Sequence, residues 1–121
     1  MSFTKGRFLI TTFVGYEIDD LIETVSNYED SELNRIAKEY KTFFEYAGIS
    51  NIDDLSRSLY LQGTNITSLP EGLSVGGDLY MRGTNITSLP EGLSVDGDLD
   101  LRGTNITEIP KSAKIGWKIY Y

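Results

Sequence analysis

The chain has 121 residues, 18 acidic and 11 basic side chains, 40% hydrophobic content and a net charge of −7, which fits one folded domain. It contains no cysteine and no histidine. That excludes disulfides, thiolate catalysis, Cys or His metal sites and a histidine general base.

The charge is uneven: residues 1–54 carry −6 and residues 55–121 carry −1. An acidic N-terminal half argues against direct binding of nucleic acid through phosphates. It suits a basic partner, or a solvated helix face. No apolar run approaches the roughly eighteen residues of a membrane span. The apolar stretch near the N-terminus is short, holds two threonines and precedes no small-residue cleavage site. It reads as part of a cytoplasmic protein and not as a signal peptide.

In chain order, residues 7–14 (RFLITTFV) are rich in β-branched and aromatic types and read as a strand, with Lys5-Gly6 turning a short hairpin against Met1 to Phe3. Ile18, Leu21, Ile22 and Val25 follow the i, i+3, i+4, i+7 spacing of an amphipathic helix from Glu17 to about Tyr28. Its acids Glu17, Asp19 and Asp20 lie in the first turn, where the helix dipole favours them. Asp30 or Ser31 caps a second helix. Leu33, Ile36, Ala37, Tyr40, Phe43, Phe44 and Ala47 keep helical spacing until Gly48 ends it. Such a helical hairpin has one apolar face to cover, and residues 1–54 are therefore read as an N-terminal cap. Ile49 and Leu55 stand twenty residues before Leu69 and Val75, so a degenerate half-coil begins at Ile49.

Residues 55–121 hold three and a half twenty-residue repeats. The units are LYLQGTNITSLPEGLSVGGD (59–78), LYMRGTNITSLPEGLSVDGD (79–98) and LDLRGTNITEIPKSAKIGWK (99–118); Ile119, Tyr120 and Tyr121 start a fourth. A short fixed period marks a stack of coils. Leu59 and Leu61 alternate with polar neighbours as a half-buried strand does. Gly63 turns the chain, Ile66 and Leu69 re-enter the core, and Pro70 makes the return irregular. Leu73 and Val75 fill the third side. Six inward side chains at roughly 1.5–3 kcal/mol each do not offset the ordering of twenty residues. Each coil therefore needs neighbours and a cap.

These residues resemble the leucine-rich-repeat family. The family pattern L-x-L-x-x-N-x-L-x-x-L-P-x-x-L is matched by Leu79, Met81, Thr84, Ile86, Leu89, Pro90 and Leu93. Thr64, Thr84 and Thr104 stand where the family has its ladder asparagine, and Val75 comes early. The wording is similar to that of small repeat proteins of bacteriophages and bacterial mobile elements, and to the repeat part of bacterial effectors that carry a ubiquitin-ligase domain. That ligase activity needs a cysteine and does not carry over. The resemblance implies a protein-binding module. The expected fold is α+β: an N-terminal strand and helical hairpin capping a short leucine-rich-repeat-like solenoid with a small parallel sheet.

Residues twenty apart form ladders about 4.8 Å apart. The outward strand face presents Tyr60, Asp78, Tyr80, Arg82, Asp98, Asp100, Arg102 and Tyr120 as partner-binding candidates, because tyrosine and arginine on a rigid face make interface hot spots. Four coils rise only about 15 Å, against about 800 Å² per partner in a specific interface. A partner therefore also touches the cap, a turn edge or a second copy. The Thr64/Thr84/Thr104 and Asn65/Asn85/Asn105 ladders are expected to bond the turns above and below. Asn65-Ile66-Thr67 and its copies match the glycosylation pattern by coincidence of the repeat. Asp78, Asp96, Asp98 and Asp100 are oxygen ligands in type, but neighbouring Arg82 and Arg102 neutralise them, and no metal or cofactor is expected. Paired carboxylates for glycoside chemistry would need a cleft, so no enzymatic activity is expected.

At the C-terminal edge, Trp117, Tyr120 and Tyr121 with Lys111, Lys114 and Lys118 either blunt the strand or pair two copies as a homodimer. The leading expectation is a non-enzymatic protein-interaction module, in the manner of a phage-type inhibitor of a bacterial defence or regulatory protein, acting in the host cytoplasm. The alternatives are an acidic nucleic-acid mimic using Glu17, Asp19, Asp20, Glu23, Glu29, Asp30, Glu32 and Glu39, and a structural or assembly component.

Overall fold

A computed structural model describes residues 4–121. Three helices come first: α1 (Lys5–Thr12), α2 (Ile18–Ser26) and α3 (Ser31–Ala47). A 3-10 turn (Ile52–Ser56) leads into seven two-residue strands: β1 (Leu59–Tyr60), β2 (Ser74–Val75), β3 (Leu79–Tyr80), β4 (Ser94–Val95), β5 (Leu99–Asp100), β6 (Lys114–Ile115) and β7 (Ile119–Tyr120). The architecture is mixed α+β, with β1-β3-β5-β7 and β2-β4-β6 forming two small parallel sheets. Every strand pair is in the twenty-residue register: Leu59 faces Leu79, Leu79 faces Leu99 and Leu99 faces Ile119.

The strand expected at residues 7–14 is instead the helix α1. Its expected hairpin partner, Met1 to Phe3, lies outside the described residues. Thr4 starts the helix, its Oγ1 accepting from the Arg7 N–H at 3.0 Å. Gly6, Leu9, Ile10 and Phe13 are buried and Thr11 and Thr12 exposed. That is the i, i+3, i+4, i+7 pattern of a helix packed on one side. Packing on that face outweighs the strand preference of Ile10, Thr11 and Thr12.

The helical hairpin forms as expected. Asp30 caps α3 by accepting from the Leu33 N–H at 2.9 Å, and Gly48 ends it in the left-handed region at φ 70°. Glu29 takes φ 55° in the tight link between α2 and α3. Leu21 and Val25 of α2 pack with Leu33, Ile36, Tyr40, Phe43 and Phe44 of α3. The same buried cluster runs on through the coils, from Leu9 to Ile106.

Three joints fasten these helices to the coils. The 3-10 turn occupies the place of a preceding coil: Gly76 N–H donates to the Leu55 carbonyl at 2.8 Å, as Asp96 does to Val75 at 2.9 Å and Gly116 to Val95 at 2.8 Å. In place of the half-coil expected from Ile49, the chain forms this 3-10 turn, and Leu55 is the residue whose carbonyl takes the bond from Gly76. The buried Tyr40 hydroxyl donates to the Glu71 carbonyl at 2.7 Å; burial pushes this phenol well above its ordinary range. Finally, α1 lies across the turns of two coils. Arg7 donates from Nε to the Gly72 carbonyl at 2.9 Å and from Nη2 to the Gly92 carbonyl at 2.8 Å.

Within a coil, Leu59, Leu61, Ile66, Leu69, Leu73 and Val75 are no more than 7% exposed, and Leu79, Met81, Ile86, Leu89, Leu93 and Val95 repeat the pattern. The threonine ladder does not bridge coils as expected. Thr64 Oγ1 donates to the Leu61 carbonyl of its own coil at 2.7 Å, and Thr84 and Thr104 do the same to Met81 and Leu101. The same carbonyl accepts the Thr64 N–H at 3.1 Å, so both groups close the turn at Gly63. Asn65, Asn85 and Asn105 are exposed at the corner and do not form the expected buried ladder.

Candidate functional site

The parallel register stacks Tyr60 on Tyr80, Tyr80 on Asp100 and Asp100 on Tyr120 along one row of the four-stranded sheet. The three tyrosines therefore share one flank. The row divides into two unlike halves.

At the N-terminal half, the Tyr60 and Tyr80 rings stack with centroids 4.8 Å apart and planes 13° from parallel. Tyr80 is half-buried, and its hydroxyl donates to Asp78 Oδ2 at 2.7 Å. That bond, with burial, pushes the phenol up to about 12. Asp78 Oδ1 in turn accepts from the Asp98 N–H at 2.7 Å. The two bonds hold the Asp78 carboxyl below the usual carboxylate range, the backbone donor contributing most. Tyr60 thus rests on a ring tethered by its hydroxyl, and it is 65% exposed. Beside it, a recess of about 210 Å³ is bounded by Ala47, Ile49, Asp54, Arg57 and Leu59.

At the C-terminal half, Asp100 is buried, 3% exposed, and is not a surface acid as the alternation suggests. Arg102 clamps it with two bonds, Nε to Oδ1 at 2.9 Å and Nη2 to Oδ2 at 2.7 Å. This pairing holds the carboxyl below its ordinary range. The guanidinium carbon also lies 5.2 Å from the Tyr120 ring centroid, a cation–π distance. Asp100 therefore positions Arg102, and Arg102 covers Tyr120. Arg82 is exposed in the turn that follows β3.

Asp78 and Asp98 belong to a second ladder that sequence reasoning placed on the binding face. Ser58 Oγ accepts from the Asp78 N–H at 2.8 Å, Asp78 from Asp98, and Asp98 Oδ1 from the Lys118 N–H at 3.0 Å. Their carboxylates are engaged in joining coils. With Asp100 paired to Arg102 and Asp96 exposed in a turn, these four acids do not converge. Among the described residues no group of three metal-ligating side chains comes together.

The helical acids are also partly engaged. Lys5 lies 3.0 Å from Asp30 and 3.5 Å from Glu32, Lys41 lies 3.1 Å from Asp19, and Arg35 pairs with Glu39. The Lys5 ammonium and the Leu33 N–H together hold Asp30 below the carboxylate range, the N–H contributing most. No described helix is long and apolar enough to cross a membrane. Sequence reasoning missed Arg7 and Tyr40 as the residues that dock the helices. The Gly6, Leu9, Ile10, Phe13 spacing was the available signal.

No family model, curated protein or solved structure matches the chain.

Proposed function

We propose that this chain is a non-enzymatic protein-binding module, a short leucine-rich-repeat-like solenoid whose tyrosine-bearing strand face meets another protein. One observation carries the reading. Tyr60 presents an exposed aromatic face on a stacked ring that Asp78 pins in place. A large aromatic group held rigid loses little side-chain entropy on contact, which is the property of an interface anchor. The neighbouring recess and the exposed Arg82 extend this surface towards the area a specific complex needs.

On the narrower reading suggested by the wording of the repeats, the partner is a bacterial defence or regulatory protein and the site of action the host cytoplasm. The nucleic-acid-mimic reading is the weaker one, because Asp19, Asp30, Glu32 and Glu39 lie against Lys41, Lys5 and Arg35 of the same chain. A decoy would keep such charges free.

The test is affinity capture from bacterial lysate with three baits: the wild-type chain, Tyr60→Ala with Tyr80→Ala, and a variant with Glu17, Asp20 and Glu23 changed to glutamine. The expected result is a retained protein that the tyrosine variant loses and the glutamine variant keeps. The opposite pattern overturns the proposal.

A further inference from the structure

The cap meets the two sheets differently. In the sheet that holds Tyr60, carbonyls of each coil take N–H groups from the coil before. Leu59 and Leu61 donate to Asp78 and Tyr80 at 2.9 and 2.8 Å, and Leu79 and Met81 to Asp98 and Asp100 at 2.9 Å each. One coil earlier the equivalent carbonyls are those of Ser58 and Tyr60. β1 is the outer strand of this sheet, and among the described residues no backbone N–H donates to either carbonyl. In the other sheet that place is filled, since the Leu55 carbonyl of the 3-10 turn takes the Gly76 N–H at 2.8 Å. The edge at β1 is therefore open. It lies in mid-chain, with the helical cap before it and three further strands of the same sheet after it.

The recess beside Tyr60 lies along this edge. Ser58, Leu59 and Tyr60 themselves line it, together with Ala47 and Ile49 from the end of the cap. Ala47 and Ile49 are only partly buried, so apolar surface there is left to be covered. Pockets for small molecules run to about 300–1,000 Å³, whereas this recess holds about 210 Å³. It is sized for side chains and not for a cofactor.

Asp54 and Arg57 are the two charges at its border, and they differ in what they have left to offer. Asp54 is engaged within the cap, its Oδ2 accepting from the Asn51 N–H at 3.1 Å and the Ser50 N–H at 3.4 Å. Arg57 is exposed and, among the described residues, forms no ion pair. A guanidinium with its donors free matches a carboxylate in two parallel bonds. The edge thus calls for N–H donors along a main chain, an apolar side chain for the recess, and a carboxylate.

We infer that the β1 edge docks an extended segment of the partner protein, which adds as a strand beside β1. Its N–H groups donate to the Ser58 and Tyr60 carbonyls, an aliphatic side chain enters the recess against Ala47 and Ile49, and an aspartate or glutamate pairs with Arg57. Main-chain bonds supply affinity, and the recess and Arg57 supply selection. The inference rests on the reading of Tyr60 as a partner contact and names the kind of segment that reaches it.

The probe is a short blocked peptide alternating leucine and aspartate, followed by backbone amide NMR of the full chain, whose spectrum also reports that each variant is folded. Its counterparts are a leucine–lysine peptide and two versions of the leucine–aspartate peptide, N-methylated at alternate residues in one frame or the other. The expected result is saturable shifts at Ile49 and at Arg57 to Tyr60 with the leucine–aspartate peptide. Methylation in the frame that faces β1 removes the donors and abolishes them, and methylation in the other frame does not. Arg57→Glu weakens binding roughly tenfold, and so does Tyr60→Ala. If Tyr60→Ala has no effect while one methylation frame is still decisive, the edge stands and the tyrosine reading falls. If Tyr60→Ala weakens binding that survives both methylation frames, the tyrosine reading stands and the edge inference is overturned. It is also overturned by an equal response to the lysine peptide at Arg57 to Tyr60, by no shift at about 1 mM peptide, or by β1 shifts that follow protein concentration alone, which would seat a second copy there.

Discussion

Gly6→Ala places two rules in direct opposition. Alanine in the body of a helix is favoured over glycine by about 1 kcal/mol, so on local preference α1 would gain stability. The packing predicts the reverse. A Cβ on Gly6 would fall inside the van der Waals envelope of the Glu71 carbonyl oxygen, 2.8 Å from its carbon and 3.2 Å from Glu71 Cγ. Both backbone atoms belong to a turn fixed by the Tyr40 hydroxyl and by the Gly72 N–H, which donates to the Glu91 carbonyl at 2.9 Å. The helix must therefore move, by an amount on the order of 1 Å, to restore ordinary contact. That movement stretches both Arg7 bonds, now 2.9 and 2.8 Å. Hydrogen bonds to a charged group are worth roughly 1.5–3 kcal/mol each. Subtracting the helix gain leaves a net loss of about 2–4 kcal/mol if most of that pair is forfeited. Urea unfolding followed by circular dichroism should show a lower midpoint at unchanged slope. Thr12→Ala, exposed on the same helix, should stay within about 0.5 kcal/mol of wild type. A Gly6→Ala chain as stable as wild type would refute the claim that α1 approaches the coils this closely.

Three further outcomes follow from the same contacts. Tyr40→Phe leaves the Glu71 carbonyl without its donor and should cost about 1–3 kcal/mol in the same urea experiment. Tyr80 should titrate at about 12 by ultraviolet absorbance, and Asp78→Asn should return it towards 10.0, since a phenolate beside an amide meets no carboxylate charge. Asp100 has a folded-state pKa depressed below the ordinary 3.8. Its pairing with Arg102 therefore contributes stability that is complete above that value and is lost as pH falls through the folded one. Asp100→Asn should flatten the acid limb of a melting-temperature profile below about pH 4, leaving the contributions of Asp30 and Asp78. An unaltered limb would show that the clamp carries no such linkage.

The coil register was legible because a twenty-residue period leaves no freedom: once Leu59 and Leu61 face inward, Leu79, Met81, Leu99 and Leu101 must follow. The caps of α3 were legible for a local reason. Asp30 and Gly48 act on backbone groups within three or four residues of themselves. α1 was misread because β-branched content was weighed above period, although Gly6, Leu9, Ile10 and Phe13 carry helical spacing. The alignment of Tyr60, Tyr80 and Tyr120 was also foreseeable from the period. The burial of Asp100 was not. It depends on Arg102, in the turn after β5, folding back onto a residue two positions earlier, a side-chain choice that alternation does not encode. The threonines misled similarly: their hydroxyls reach a carbonyl three residues back sooner than they reach the next coil.

One corner of the repeats tolerates almost nothing at two of its positions. A Cβ on Gly76 would meet the Ser56 carbonyl oxygen at 2.5 Å, and a Cβ on Gly116 would fall on the Asp96 carbonyl. In both cases the obstacle is main chain and cannot rotate aside. Whatever side chain replaced either glycine, the main chain on one side of that corner would have to give way, so the thickness of the stack there is set by two residues that have no side chain at all.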